Sequence, residues 1–466
     1  MRTKDWLLMG LFATTALLVA AFVAFQMVTE ARRSAATARV AKPEVVRLYE
    51  DLAAQMGTTP DAAAPDGQRD QTDAASHSGT DLAAAVETIA RYQQLFAHRD
   101  EALGDDATWD DLRDTVLQRP PSEWTEQERQ ALEAFLSAHE DLIREIRELA
   151  ERGGPVYPLD FSEGLSMQLP HLSKLRDCAR LLHADALFRA GSGDYATAIE
   201  DIVAGFKLGA AVAGEPILIS QLVRIAVAGV ASDALQLAFQ PGDLPPDSAR
   251  DLMRLLAQSD HRDAFAASFA GEQTFGLRAF EDFLRDAGTR DMGGASPLTG
   301  LGARLYASPI VRPWFNMDEA AYADVMDRFR DAVELPYYEA KPLLDQIEQD
   351  VEDLPLTRVL SRTLLPALGR SCQSQARLEA TLDLMQMGLT LEQYHGVHGE
   401  YPAALEAIAS QLGGAVPVDP FTGRPYHYEP SSGTFLLYSV GMDLEDDGGT
   451  HDLRDGDIVW RGAKQE

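Results

Sequence analysis

The chain has 466 residues, 45% of them hydrophobic, enough to bury the cores of two or three domains. Its formal net charge of −32, from 73 acidic against 41 basic side chains, argues against a nucleic-acid binder, because phosphate recognition needs clustered Lys and Arg. Two cysteines, Cys178 and Cys372, are too few for a disulfide framework or a zinc site of their own; two buried thiols are expected ahead of one long-range disulfide.

In chain order, the first predicted element is a membrane span. Trp6 to Val28 carries no charge, and about 20 apolar residues suffice to cross the hydrocarbon core. A cleaved signal peptide has a shorter apolar region of roughly 7–15 residues, so residues 1–30 read as an uncleaved single-pass anchor. Arg2 and Lys4 precede the span, whereas Arg32, Arg33, Arg39, Lys42 and Arg47 follow it. Counted strictly, that asymmetry puts the body in the cytoplasm. Residues 31–81 hold a short amphipathic helix, Glu44 to Met56, and then a linker from Gly57 to Asp81 rich in Ala, Asp, Ser, Thr and Gly.

Residues 82–366 form a predicted α-helical domain. Ala131 to Arg152 reads as one helix stopped by Gly153-Gly154-Pro155. Leu175, Cys178, Leu182 and Ala186 share one helical face, and Gly191-Ser-Gly193-Asp194 turns into a second helix bearing Ala198, Ile199, Ile202 and Phe206. This pair resembles a single tetratricopeptide-type hairpin. No second copy recurs at a fixed period, so a helical hairpin in an irregular all-α domain is preferred to a peptide-binding array. Further helices are expected over Ile217 to Phe239, Ala264 to Asp286, Met317 to Val333 and Ala340 to Val351, with a surface loop from Gly288 to Pro313.

Residues 367–466 form a predicted small α+β module. Ala367 to His395 reads as one long helix whose stripe of Leu378, Leu382, Met385 and Leu389 must face a partner layer. A short helix, Ala404 to Leu412, and strands at Tyr426–Glu429, Thr434–Val440 and Ile458–Trp460 follow, the first two joined by a hairpin at Pro430-Ser-Ser-Gly433. A long helix on an antiparallel sheet is the natural way to bury that stripe.

Between the last two strands the chain gathers Asp443, Asp446, Asp447, Asp452, Asp455 and Asp457 in a Gly-containing loop. Carboxylates so close repel one another, and a hard cation such as calcium removes the repulsion by taking about six to eight oxygen ligands. A solvated acidic loop without an ion is the plain alternative.

The order of motifs in this region adds a resemblance. Leu391-Glu-Gln-Tyr394, Gly399-Glu-Tyr401-Pro402, Asp419-Pro420-Phe421-Thr-Gly423-Arg-Pro425-Tyr426, Tyr438-Ser439-Val-Gly441-Met-Asp443 and Asp455-Gly-Asp457-Ile458 together resemble the C-terminal domain of the major pseudopilin of type II secretion systems, over Ala376 to Gly462. The resemblance implies a calcium-binding loop with Asp443, Asp455 and Asp457 as ligands; Asp447 and the main-chain carbonyl of Val440 are added to complete the shell. It implies a structural turn at Asp419 and Gly423. It also favours an extracytoplasmic body on the inner membrane, beside secretion-system or other envelope proteins. The front of the chain departs from that family: Gly10 is followed by Leu11, Phe12 and, at the fifth place, Thr15, and no acid lies in the apolar segment. Filament assembly through an N-terminal helix bundle is therefore not expected.

Catalytic patterns are absent. The chain contains no Gly-x-Ser-x-Gly elbow, His-Glu-x-x-His or Gly-x-x-x-x-Gly-Lys-Ser/Thr. His395, His398 and Glu400 are a weak candidate for a transition metal. The sequence thus points to a membrane-anchored scaffold or interaction protein with a calcium-binding module. Two rivals stand beside it: an enzyme with an unrecognised pocket in the helical domain, and a cytoplasm-facing helical adaptor for peptides.

Overall fold

The computed structural model of the chain describes residues 21–37, 49, 51–53, 56, 79–104, 107–239, 244, 246–258, 261–288, 308, 310–366, 368–431, 433–450 and 456–460. The apolar stretch before residue 21, most of the expected 44–56 helix, the linker 57–78 and the loop 289–307 lie outside the described residues. Within them the protein is mainly α-helical, with one small antiparallel sheet near the C-terminus.

Helix α1 covers residues 21–37, and α2, Gly79–Leu103, starts three residues before the expected Leu82. Then come α3, Ala107–Thr115, α4, Glu126–Ala138, and α5, Glu140–Arg152. The single helix expected from Ala131 to Arg152 is therefore two. Thr125 opens α4 with a capping box: its hydroxyl accepts from Glu128 N while the Glu128 carboxylate accepts from Thr125 N. His139 closes α4 at φ −114°, ψ 16°. Its imidazole lies 2.7 Å from the Phe135 carbonyl and 3.2 Å from that of Ala102 at the end of α2. A side chain that occupies a main-chain acceptor and ties the break to a distant helix overrides the local apolar periodicity. Helix α5 stops where predicted, at Gly153.

The hairpin formed by α6, Pro170–Gly191, and α7, Tyr195–Ala210, matches the reading of the sequence. Leu175, Cys178, Leu182 and Ala186 are all buried, and Asp194 caps α7 by accepting from Thr197 N. Helix α8, Leu218–Ala238, packs against both. It is long and apolar enough to cross a membrane, yet it is mostly buried among α6, α7 and later helices. Two polar knots hold this region together. Arg147 on α5 donates to Asp185 (2.5 Å) and Asp201 (2.6 Å), both buried, and Glu215 accepts from Ser220 Oγ (2.5 Å) while lying 3.0 Å from His171 Nε2. Burial and the neighbouring Asp185 push the Asp201 carboxyl far above the usual range.

Five more helices follow: α9, Pro246–Gln258; α10, His261–Gly288; α11, Arg312–Val333; α12, Tyr337–Glu352; and α13, Val359–Leu364. Helix α1 lies on α11. Phe25 meets Trp314 edge-on at 5.6 Å, Asn316 donates to Glu30 (2.8 Å), and Arg33 donates to the buried Glu319 (2.6 Å). Ala36 packs with Ala320 and Ala323. Cys178 and Cys372 are buried free thiols, and burial pushes each up to about 12.

Helix α14, Leu368–His398, is the long helix expected from Ala367. Its stripe of Leu378, Leu382, Met385 and Leu389 is buried, and so are Ala376, Ala380, Leu384, Met387 and Leu391. One flank faces the helical body, where Thr390 Oγ1 reaches Met253 of α9 and Arg262 of α10 pairs with Glu379. The other carries the sheet β1-β2-β3: His427–Ser431, Thr434–Ser439 and Ile458–Trp460. Strand β1 runs two residues further than predicted because Ser431 pairs with Thr434. Tyr426 just before β1 donates to Asp383 Oδ2 of α14 (2.8 Å), and a Cβ on Gly388 would lie 2.3 Å from Trp460 Cε2.

That contact makes a direct test of the helix–sheet joint. Gly388→Ala is expected to destabilise the protein by about 1–3 kcal/mol through overpacking. Gly396→Ala, on the same helix with nothing within 4 Å of its Cβ, is expected not to destabilise it. Urea unfolding of the two variants distinguishes them.

Candidate functional site

The acidic loop is built on the close meeting of β2 and β3. Ser439 pairs with Ile458, and the chain leaves β2 through Val440 and Gly441. Gly441 has φ 71°, and a Cβ there would lie 2.7 Å from the Gly456 carbonyl, so only glycine lets the two segments approach this closely. Below the loop, buried Asp419 forms the expected turn: its Oδ1 accepts from Phe421 N (2.8 Å) and its carbonyl from Gly423 N (2.8 Å). Ser439 and Val440 N also bond its carboxylate, tying this turn to the end of β2.

Asp457 sits at the head of β3 and is completely buried. Its Oδ2 accepts from Gly449 N at 2.7 Å, the Asp447 amide also bonds the carboxylate, and Oδ1 has no hydrogen-bond partner among the described residues. Burial raises the carboxyl above the usual range, and the charges of Asp446 and Asp447 raise it further. A buried carboxylate oxygen without a donor among the described residues, with two more carboxylates close by, is an arrangement that a cation can stabilise.

The remaining predicted residues divide. Val440 is buried beneath the loop. Asp447 is exposed, and its carbonyl accepts from Thr450 Oγ1 (2.9 Å). Asp443 is exposed too, with Oδ1 accepting from Glu445 N at 3.1 Å across Leu444, which has φ 63°. Asp443 is thus used in a local turn and does not enter the Asp457 group. Asp455 lies outside the described residues. Among the described residues no three His, Cys, Asp or Glu side chains already converge as a ligand set.

Asp446 was not assigned a role from the sequence, although it holds the loop in place. Its Oδ1 accepts from Tyr438 OH (2.8 Å) and Gly448 N (3.0 Å), and these bonds keep its carboxyl below the usual range. Its Oδ2 is 3.7 Å from His427 Nδ1, and His427 stacks on Tyr438. The strand alternation that aims Tyr438 was the available signal. His395 and His398 each stack on a tyrosine, Tyr401 and Tyr394, and do not converge with Glu400. In the helical body, one crevice of about 360 Å³ is lined by Ala266, Ala270, Asp327, Arg330, Asp331 and Glu334.

No protein-family model matches the chain, and no curated protein or solved structure does.

The electrostatics give a test in the absence of metal. A carboxyl whose folded pKa lies above its unfolded value binds its proton more tightly when folded, so stability falls as pH rises from the unfolded value through the folded one. Asp457→Asn keeps an acceptor for Gly449 N and removes the charge. In chelator-treated protein the variant is expected to melt higher than the parent at pH 7–8, with the difference closing near pH 3–4, about the ordinary carboxylate range. A pH-independent difference would contradict the assigned cause.

Proposed function

We propose that this is a single-pass, inner-membrane protein of the bacterial envelope, held by Trp6–Val28, with an extracytoplasmic body that ends in a calcium-binding module of pseudopilin type. Its role is that of a scaffold or interaction protein beside a type II secretion or pilus-like machine. The observation that supports this reading is the buried Oδ1 of Asp457, left without a donor among the described residues, beside Asp446 and Asp447. Calcium offers that oxygen a partner and offsets the mutual repulsion of the loop. Asp457 and, once the 443–445 turn opens, Asp443 would hold the ion, with Asp447, Asp455 and the Val440 carbonyl closing the shell.

The N-terminal departures at Leu11, Phe12 and Thr15 favour reuse of the globular module without filament assembly. A long helix against a small sheet, in the motif order that the resemblance specifies, accords with that module.

The test uses the full chain in detergent, because α14 is buried against the helical body as well as the sheet. Calcium at 100 times its Kd is expected to stabilise the protein by about 2.7 kcal/mol, read as a higher melting temperature. The double variant Asp443→Ala/Asp457→Ala is expected to lose that rise. An undiminished rise would remove both residues from the site, and no rise in the parent protein would end the calcium reading.

A further inference from the structure

The end of the molecule nearest the apolar segment carries a second feature. Three pieces of chain adjoin there: α1, the start of α11 and the stretch that leads into α13. The Phe25–Trp314 contact and the Arg33–Glu319 and Glu30–Asn316 bonds join α1 to α11. On α11, Asp318 accepts from Leu360 N (2.9 Å) and Ser361 N (3.2 Å), which holds α13 in place. A crevice of about 450 Å³, bordered by Arg32, Ala35, Met317, Ala321, Pro355 and Arg358, lies where the three meet.

These pieces expose large apolar side chains. Leu356 is 83% exposed, Met27 70% and Ile310 69%, with Val28, Trp314 and Val359 partly exposed beside them. Nothing in a soluble setting favours leaving six such groups in water on three adjoining segments. The chain itself says what covers them. Residues 6–28 are uncharged and apolar, and α1 is their direct continuation, already laid against this face. The local charge agrees: in a chain of net charge −32, exposed Arg32 lies here beside Arg312, which bonds Asn316, and the neighbouring carboxylates of Glu30, Asp318 and Glu319 are engaged in hydrogen bonds.

We propose that this face rests on the bilayer surface, with Met27, Ile310, Trp314 and Leu356 in the interfacial layer and Arg32 at the level of anionic lipid phosphates. The inference rests on the membrane-anchor reading and goes beyond it, since an anchored body can also hang free on its tether. A tryptophan at the water–hydrocarbon boundary and arginines just outside it are the side chains that this layer favours. The helical body is then held in a fixed orientation, because the Arg33–Glu319 pair fastens α1 to it.

The experiment reconstitutes the full chain into phosphatidylcholine–phosphatidylglycerol vesicles. Single additional cysteines, Ile310→Cys, Leu356→Cys and, for comparison, Val397→Cys, are labelled with an environment-sensitive fluorophore; native Cys178 and Cys372 are buried. Val397 is 79% exposed and sits about 40 Å along α14 from Leu368. Probes at 310 and 356 are expected to shift to the blue and to lose most of their emission to lipids bearing a nitroxide at phosphate depth, while the 397 probe does neither. Probes at 310 and 356 that behave like 397 would overturn the proposal. So would a blue shift without nitroxide quenching, which would mean that protein, not lipid, covers the face. Flotation after alkaline carbonate separates the two readings: a chain that fails to float sinks the anchor and the surface together, and one that floats with unquenched probes sinks the surface alone.

Discussion

Everything at the C-terminal end depends on α14 being buried along both flanks. A helix that faces one layer has a polar side to give to water; here the helical body takes one side and the sheet the other. One apolar cluster consequently runs from Tyr92 on α2 to Trp460 on β3. The joint tolerates no extra volume where Trp460 lies on Gly388, and its polar fasteners, Tyr426–Asp383 and Arg262–Glu379, sit one turn apart on the same face of the helix. Burial pushes Asp383 up to about 7, so even this fastener is sensitive near neutral pH. The acidic loop is therefore carried on a rigid support and is linked mechanically to the body.

Much of this was legible in sequence. The α6–α7 hairpin, the apolar α8 and the long α14 announce themselves by period, and Gly153, Gly193 and Pro430 to Gly433 punctuate them. What escaped was non-local. The break at His139 depends on the Ala102 carbonyl, contributed by another helix. The burial of Asp185 and Asp201 depends on Arg147, which comes from α5 to meet both. In the loop, the sequence showed how many carboxylates gather but not which is buried. Asp457 is buried because Gly441 and Gly456 bring two strands together, whereas Asp443, in the same motif, forms a local turn in water.

Charge has a different meaning at the two ends of the molecule. Near the apolar segment an arginine is put to structural use: Arg33, one of five cations following the uncharged stretch, is engaged with Glu319, so a simple count of flanking charge overstates what is free. At the other end the acids are left in excess, and Asp457 is held in a place that favours its neutral form unless a cation compensates. A body fixed at a membrane by one end and ordered by an ion at the other, as proposed, would suit a scaffold.

The most direct measurement is amide hydrogen exchange on the intact chain in detergent, with calcium and with chelator. The account predicts added protection in residues 440–460, strongest at Gly448, Gly449 and Asp457, with α6 to α8 unchanged. Exchange in that loop that is identical with and without calcium would contradict it.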